Sequence, residues 1–167
     1  MTCFFSQVAY SLWMDRENIP QFMPIIDSVV LDKDDSRYSV WTLRQRAFEQ
    51  EWAFTWRARN LTPLPNSKIH WVSEEGLRNK GAVRFYNIVN NDSNTVKQAD
   101  SDGKKTNNCT CVLSISYEVP EILSPFANAL DPLVQRLLQE TLQSFKTYAE
   151  EQGRIDRKAP SSVQVHS

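Results

Sequence analysis

The sequence predicts an α+β domain in which an incurved antiparallel sheet wraps around one long C-terminal helix. Three observations carry this. Strand-like segments joined by short connections follow one another from Ile25 to Val119, which makes sequence neighbours antiparallel partners. One amphipathic stretch, Pro132 to Glu151, comes after all of them. Its apolar stripe has no candidate partner in the chain except the sheet.

Two short helical segments come first. Ser6 is placed to cap a turn carrying Val8, Leu12 and Trp13, and a second segment runs from Asp15 through Ile19 to Met23, where Pro24 limits it. The apolar run Ile25 to Leu31 reads as a strand, ended by the charged turn Asp32 to Ser36. Tyr38 to Arg44 is rich in aromatic and β-branched residues and reads as the next strand. Glu51 to Arg59 alternates cleanly: Trp52, Phe54, Trp56 and Ala58 share one face, Thr55, Arg57 and Arg59 the other. Lys68 to Ser73 puts Ile69 and Trp71 on a common face, and Gly81 to Ile88 does the same for Val83 and Phe85. Polar Asn90 to Asn108 reads as a long, mobile hairpin loop. Cys109 to Val119 is the last strand, with Cys111, Leu113, Ile115 and Tyr117 facing inward and Pro120 stopping it. In the terminal helix Asp131 is placed as the cap and Pro132 in the first turn. Val134, Leu138, Thr141, Phe145 and Tyr148 then recur at helical spacing, opposite Gln135, Arg136, Gln139, Glu140, Gln143 and Lys146.

The 167 residues, 41% apolar and 23% charged, suit a single domain over residues 1–152 with a disordered tail over 153–167. A net charge of −1 gives no electrostatic case for DNA. No apolar run approaches the ~20 residues of a membrane span. Three cysteines are too few for a disulfide scaffold and fit a reducing compartment. The first residues lack a secretory signal pattern.

The segment Leu12-Trp13-Met14-Asp15-Arg16-Glu17-Asn18-Ile19-Pro20-Gln21-Phe22-Met23-Pro24 resembles the helical insert of coenzyme Q-binding START-domain proteins. The likeness continues through Glu51-Trp52, Ile69 to Gly76, Gly81 to Phe85 and Ser116 to Pro120, and so covers roughly Phe4 to Glu151. These proteins belong to the polyketide cyclase and lipid-transport (SRPBCC) superfamily. Its helix-grip fold is shared by START domains and the birch pollen allergen (Bet v 1-like), and the cyanobacterial and plastid members are nearest in character. The resemblance implies that fold, suggests a plastid or cytoplasmic protein, and offers no universal catalytic motif. Family members open with a full strand. Here only Thr2 to Phe5 precede Ser6, which points to a truncated first strand.

A cavity in such a fold is lined by the inward faces. The expected ligand-binding residues are therefore Trp52, Phe54, Trp56, Trp71, Val83, Phe85, Leu113, Ile115, Tyr117, Leu138, Leu142 and Phe145, with Tyr117 and Ser73 as polar groups. The chemistry-bearing residues read otherwise. Cys109 and Cys111 are two small buried thiols on one strand face, too few for a zinc site. His70 alternates with Trp71 and points outward. Glu49 and Glu51 read as surface charge. No nucleophile elbow occurs. The expected function is binding or transport of a hydrophobic small molecule (an isoprenoid, quinone or other lipid) without catalysis, with no catalytic residue, cofactor or metal. Two readings stay open beside it. One is a cyclase or lyase using the same cavity, with His70 as the candidate base. The other is a protein- or ribosome-interacting module using an outer-face patch around Arg57 and Arg59.

Overall fold

The computed structural model of the chain describes residues 2–3, 6–87 and 109–158. Its elements run β1 (Thr2–Cys3), α1 (Ser6–Met14), a 3-10 segment (Arg16–Gln21), β2 (Ile26–Leu31), β3 (Tyr38–Ala47), β4 (Gln50–Asn60), β5 (Lys68–Gly76), β6 (Asn79–Asn87), β7 (Cys109–Tyr117), a second 3-10 segment (Glu121–Phe126) and α2 (Ala127–Lys158). Every pairing is antiparallel, and the single sheet has the order β1-β7-β6-β5-β4-β3-β2. The chain thus crosses from one edge of the sheet to the other between β1 and β2. It does so through α1, which packs on β5, β6 and β7, and the first 3-10 segment, which packs on β2. This is the expected α+β helix-grip arrangement.

Strand alternation decides the two faces. Cross-strand partners Trp41 and Trp56, then Leu43 and Phe54, stand on the inner side. On β2 a bulge between Ile26 and Ser28 resets the register, so that Ile26 and Val29 are both buried although three residues apart. Gly81 lies under Trp71. A Cβ there would sit 2.3 Å from the indole's Cζ2, so the glycine makes room for the ring. On α2 the buried positions Leu130, Thr141, Phe145 and Ala149 follow the helical stripe, and on the solvent face Arg136 bridges to Glu140 at 2.8 Å.

The packed core lies at one end of the grip. Trp13 from α1, Phe22 and Phe145 from α2 form a triangle of rings with centroids 5.2, 5.4 and 4.9 Å apart, and Tyr148 adds a contact to Phe22 at 5.5 Å. Beside it Arg16 is buried to 8% exposure with no carboxylate among its hydrogen-bond partners. Its guanidinium donates to the Ser36 and Arg37 carbonyls, to Ser39 Oγ at 3.0 Å and to Asn60 Oδ1 at 3.4 Å. One side chain therefore ties the N-terminal segment to the β2–β3 turn and to the end of β4. Burial lowers its pKa, and nearby Glu17 partly offsets that shift.

Several local expectations are corrected. The helix starts at Ala127, so Asp131 lies inside it rather than capping it, and Pro132 withholds an N–H from an established helix instead of opening one. It also continues through Gly153 to Lys158, past the point where the sequence placed the start of the tail. Cys111 is a buried free thiol pushed up to about 12 by desolvation, whereas Cys109 is disulfide-bonded and not the second thiol expected. It stands opposite Cys3 in the β1–β7 register. The expected loop Asn90–Asn108 and the tail beyond Lys158 lie outside the described residues.

Replacing Arg16 with Ala removes the donors to buried Ser39 Oγ and to the part-buried oxygens of Ser36, Arg37 and Asn60. We expect a loss of about 3 kcal/mol in urea unfolding, since each unsatisfied buried group costs roughly 1–3 kcal/mol. Exposed Arg37, which pairs only with its neighbour Asp35, serves as the control: Arg37→Ala leaves the midpoint nearly unchanged. Equal midpoints for the two variants would remove Arg16 from its role as a tie.

Candidate ligand cavity

Between the sheet and the first half of α2 a cavity of about 200 Å³ remains. Its floor is aromatic: Trp41, Trp52, Phe54, Trp56 and Trp71 from β3, β4 and β5. Two pairs of these rings are near-parallel, Trp41 with Trp56 at 5.8 Å and 18°, and Trp52 with Phe54 at 6.4 Å and 3°. The roof is aliphatic: Leu130, Leu133, Val134, Leu137 and Leu138, with Thr141. Trp13, Met23 and Ile26 close the inner end. All five tryptophans of the chain border this one space. Phe48, one of the lining residues, stacks on Phe126 at 4.3 Å and 6°, and Trp52 meets the Phe126 ring at 6.3 Å and 70°. Phe48 and Glu49 both have positive φ, 53° and 63°, which a two-residue hairpin turn requires and which bulky residues rarely adopt.

Of the expected lining residues, Trp52, Phe54, Trp56, Trp71, Ile115, Tyr117 and Leu138 border the cavity. Val83, Phe85, Leu113, Leu142 and Phe145 do not; they belong to the packed core. The physical reason is the N-terminal insert. Trp13 and Phe22 fill the space that Phe145 would otherwise share with a ligand, and Tyr10 meets Phe85 edge-on at 6.0 Å. The helix is therefore divided, its first half over the hollow and its second half in the core. Ser73, expected as a polar lining group, instead accepts the Asn79 backbone N–H at 2.8 Å. Missed were Trp41, Leu43, Gln45 and Ala47, which share a face at period two and could have been read from that spacing. Phe48 could not, because no Asn-Gly or Gly marks its turn.

Polar atoms around the cavity are mostly committed. The indole N–H groups of Trp41, Trp52 and Trp71 donate to Ser39 Oγ, the Ala47 carbonyl and Asn79 Oδ1 at 2.9, 2.9 and 3.0 Å. Those of Trp13 and Trp56 are buried with no acceptor. Tyr117 donates its hydroxyl to Asp131 Oδ1 at 2.9 Å. Burial, then the hydrogen bond to Asp131 and its charge, raise the phenol's pKa above its ordinary value and keep it protonated at neutral pH. No Asp, Glu, Lys, Arg or His side chain is part of the lining among the described residues.

His70 stands outside the lining, with its pKa lowered by burial and by Lys68 and Arg84. The outer-face arginines are neutralised in place. Arg57 binds Asp32 at 3.0 Å and lies over the Tyr38 ring, and Arg59 binds Glu74 at 2.5 Å. The patch around them is ion-paired rather than basic. Among the described residues no group of three or more His, Cys, Asp or Glu side chains is placed to hold a metal, and no helix is long and apolar enough to cross a membrane.

The division of α2 has a measurable consequence. Phe145→Ala should cost about 3–5 kcal/mol, the range for a buried ring in a packed core. Leu133→Ala, whose side chain faces the hollow, should cost less than about 1.5 kcal/mol because it forfeits contacts on one side only. Similar losses in chemical denaturation would contradict the division.

The fold has clear counterparts. The chain is 21% identical to a protein of Deinococcus radiodurans, with 88% of this chain and 90% of that one covered at a TM-score of 0.56. It is 14% identical to an aromatase/cyclase from a Streptomyces species, with 90% of each chain covered at a TM-score of 0.61. It is 15% identical to a START superfamily protein from Mycobacterium smegmatis, with 94% of each covered at a TM-score of 0.53. These likenesses are of fold. No curated protein matches the chain. The family model for polyketide cyclase / dehydrase and lipid transport matches residues 6–146. The chain therefore belongs to the polyketide cyclase / dehydrase and lipid transport family.

Proposed function

We propose that this protein binds or carries a neutral hydrophobic small molecule, an isoprenoid, quinone or other lipid, in the cavity between the sheet and α2, and that it does so without chemistry. The observation that carries the reading is the lining itself: an aromatic floor under an aliphatic roof, with no charged side chain among the described residues. Transfer of an apolar ligand into such a site is favoured by about 25 cal/mol per Å² removed from water. A charged ligand would lose its hydration with no counter-charge to replace it. The volume is below the ~300–1,000 Å³ of drug-sized sites. The occupant is therefore small, or it extends out past Phe48 and Phe126.

A cyclase or lyase would use the same space, and the aromatase/cyclase among the structural neighbours keeps that reading in view. Acid–base catalysis on a bound ligand needs a titratable group within reach of it. His70, the candidate base, lies outside the lining, which favours carriage over catalysis.

Because all five tryptophans border the cavity, intrinsic fluorescence reports its filling. An uncharged apolar probe such as N-phenyl-1-naphthylamine should quench tryptophan emission saturably. Val134→Trp, which places a bulky ring into the hollow from the roof, should weaken probe binding by about tenfold or more while the protein stays folded. Undiminished binding to that variant would locate the probe elsewhere and sink the proposal.

A further inference from the structure

We infer that the outer face of β5, β6 and β7 is a docking surface for an anionic lipid bilayer, with Lys68 and Arg84 at its centre. Lys68 and Arg84 are direct cross-strand partners, and Lys80 follows two pairs along β6, opposite Val72 and Ser116. The register of these strands is regular here, so alternation turns the three cations and His70 away from buried Ile69 and Val83. Like charges directly opposite one another cost stability, yet none of the three cations has an ion pair among the described residues. Elsewhere Arg44, Arg57 and Arg59 each meet a carboxylate, Asp27, Asp32 and Glu74. On this part of the face β7 contributes Thr110, Val112, Ser114 and Ser116, and no charge. The bordering pairs Arg59–Glu74 and Arg78–Glu118 are each neutral in themselves. His70, beside the cations, has its pKa lowered by burial and then by Lys68 and Arg84, with no carboxylate opposing them.

Charge alone would suit any polyanion, and the side chains around it narrow the choice. Leu64 pairs with Lys68 in an antiparallel bridge, Val112 stands opposite Arg84, and Tyr86 is the next outward residue after Arg84. They are 56%, 40% and 52% exposed, so three large apolar side chains surround the two central cations in open solvent. Short side chains, Ala82, Thr110, Ser114 and Ser116, fill the rest of the face. A bound peptide would add to the sheet's edge or fill pockets with its side chains. A single-stranded nucleic acid would stack on several aromatic rings, where this face exposes one, Tyr86. A bilayer surface calls for the combination present here: cations level with anionic headgroups, and Leu, Val and Tyr at the boundary beneath them. The choice of a bilayer also rests on the apolar cargo proposed above, because such molecules partition into bilayers.

The test is pelleting of the full chain with sucrose-loaded vesicles in about 0.1 M salt. Vesicles of phosphatidylcholine with about 30% phosphatidylglycerol should bind at least about tenfold more tightly than phosphatidylcholine alone, since each Lys or Arg near an anionic surface contributes about fivefold. That advantage should shrink as salt rises. Lys68→Gln, Lys80→Gln and Arg84→Gln combined should abolish it, and the melting temperature should not fall, because facing like charges are removed. Lys33→Gln, Arg37→Gln and Arg136→Gln combined change the net charge equally at exposed positions off this face and should leave the preference intact. Leu64→Ser with Tyr86→Ser should weaken binding to the anionic vesicles severalfold without altering its salt dependence. Equal binding to both kinds of vesicle, or a preference that survives the Lys68, Lys80 and Arg84 exchange, overturns the inference. So does binding to poly(U) RNA or polyglutamate in place of the vesicles, which would assign the face to another class of polyanion. Val134→Trp should pellet like the wild type, so a failure of the cargo reading appears in the naphthylamine titration and a failure of this inference in the pelleting.

Discussion

The triangle of rings made by Trp13, Phe22 and Phe145 is the contact on which the rest of the architecture depends. It is where the N-terminal insert, the sheet and the second half of α2 meet, and Phe22 and Phe145 are both fully buried. Offset and edge-on ring pairs contribute roughly 0.5–1.5 kcal/mol each beyond burial. Their larger effect is geometric. By filling one end of the grip they fix the height at which the helix lies above the sheet. The first half of α2, rigidly continuous with the anchored half, is thereby held off the floor of tryptophans. A hollow between sheet and helix follows from a plug at one end of it.

Arg16 plays the matching part at the edge of that plug. A buried guanidinium with neutral acceptors is a costly choice compared with an apolar side chain of the same size. It satisfies at once the carbonyls of the β2–β3 turn and the Asn60 amide oxygen, which no hydrocarbon could do. The insert is thus pinned to the sheet at two chemically different points, rings on one side and a fork of donors on the other.

How much of this was legible in the sequence follows from the range of the signals. The alternation of Trp52, Phe54 and Trp56 and the stripe through Leu138 and Phe145 are local periodicities, and both elements stand where these periodicities put them. The divided role of the stripe was not legible, since Val134 and Phe145 look alike in sequence and differ only in what faces them. Two local features, the turn at Phe48 and the place of Asp131 in the helix, were hidden for opposite reasons. Phe48 sits in a turn conformation that its side chain disfavours. Asp131 carries a strong cap signature beside Pro132 that tertiary structure overrides, because the preceding 3-10 segment continues straight into the helix. The pairing of Arg57 with Asp32 and Arg59 with Glu74 spans strands and turns, so it could not be read from one strand alone.

A hollow of this kind has an energetic consequence. Side chains on its walls lack contact partners on one side and forfeit part of the dispersion energy that a filled core would return. Relative to a filled sheet–helix interface the fold gives up stability over Leu133, Leu137 and the indole floor, and the packed end must supply it. A ligand that fills the space restores those contacts, and binding to the folded state alone stabilises it by RT ln(1 + [L]/Kd), about 2.7 kcal/mol at a hundredfold excess over Kd. In the proposed carriage role, stability and ligand uptake are therefore coupled through the same residues. The plug makes the empty protein foldable, and the open end leaves free energy available to an occupant.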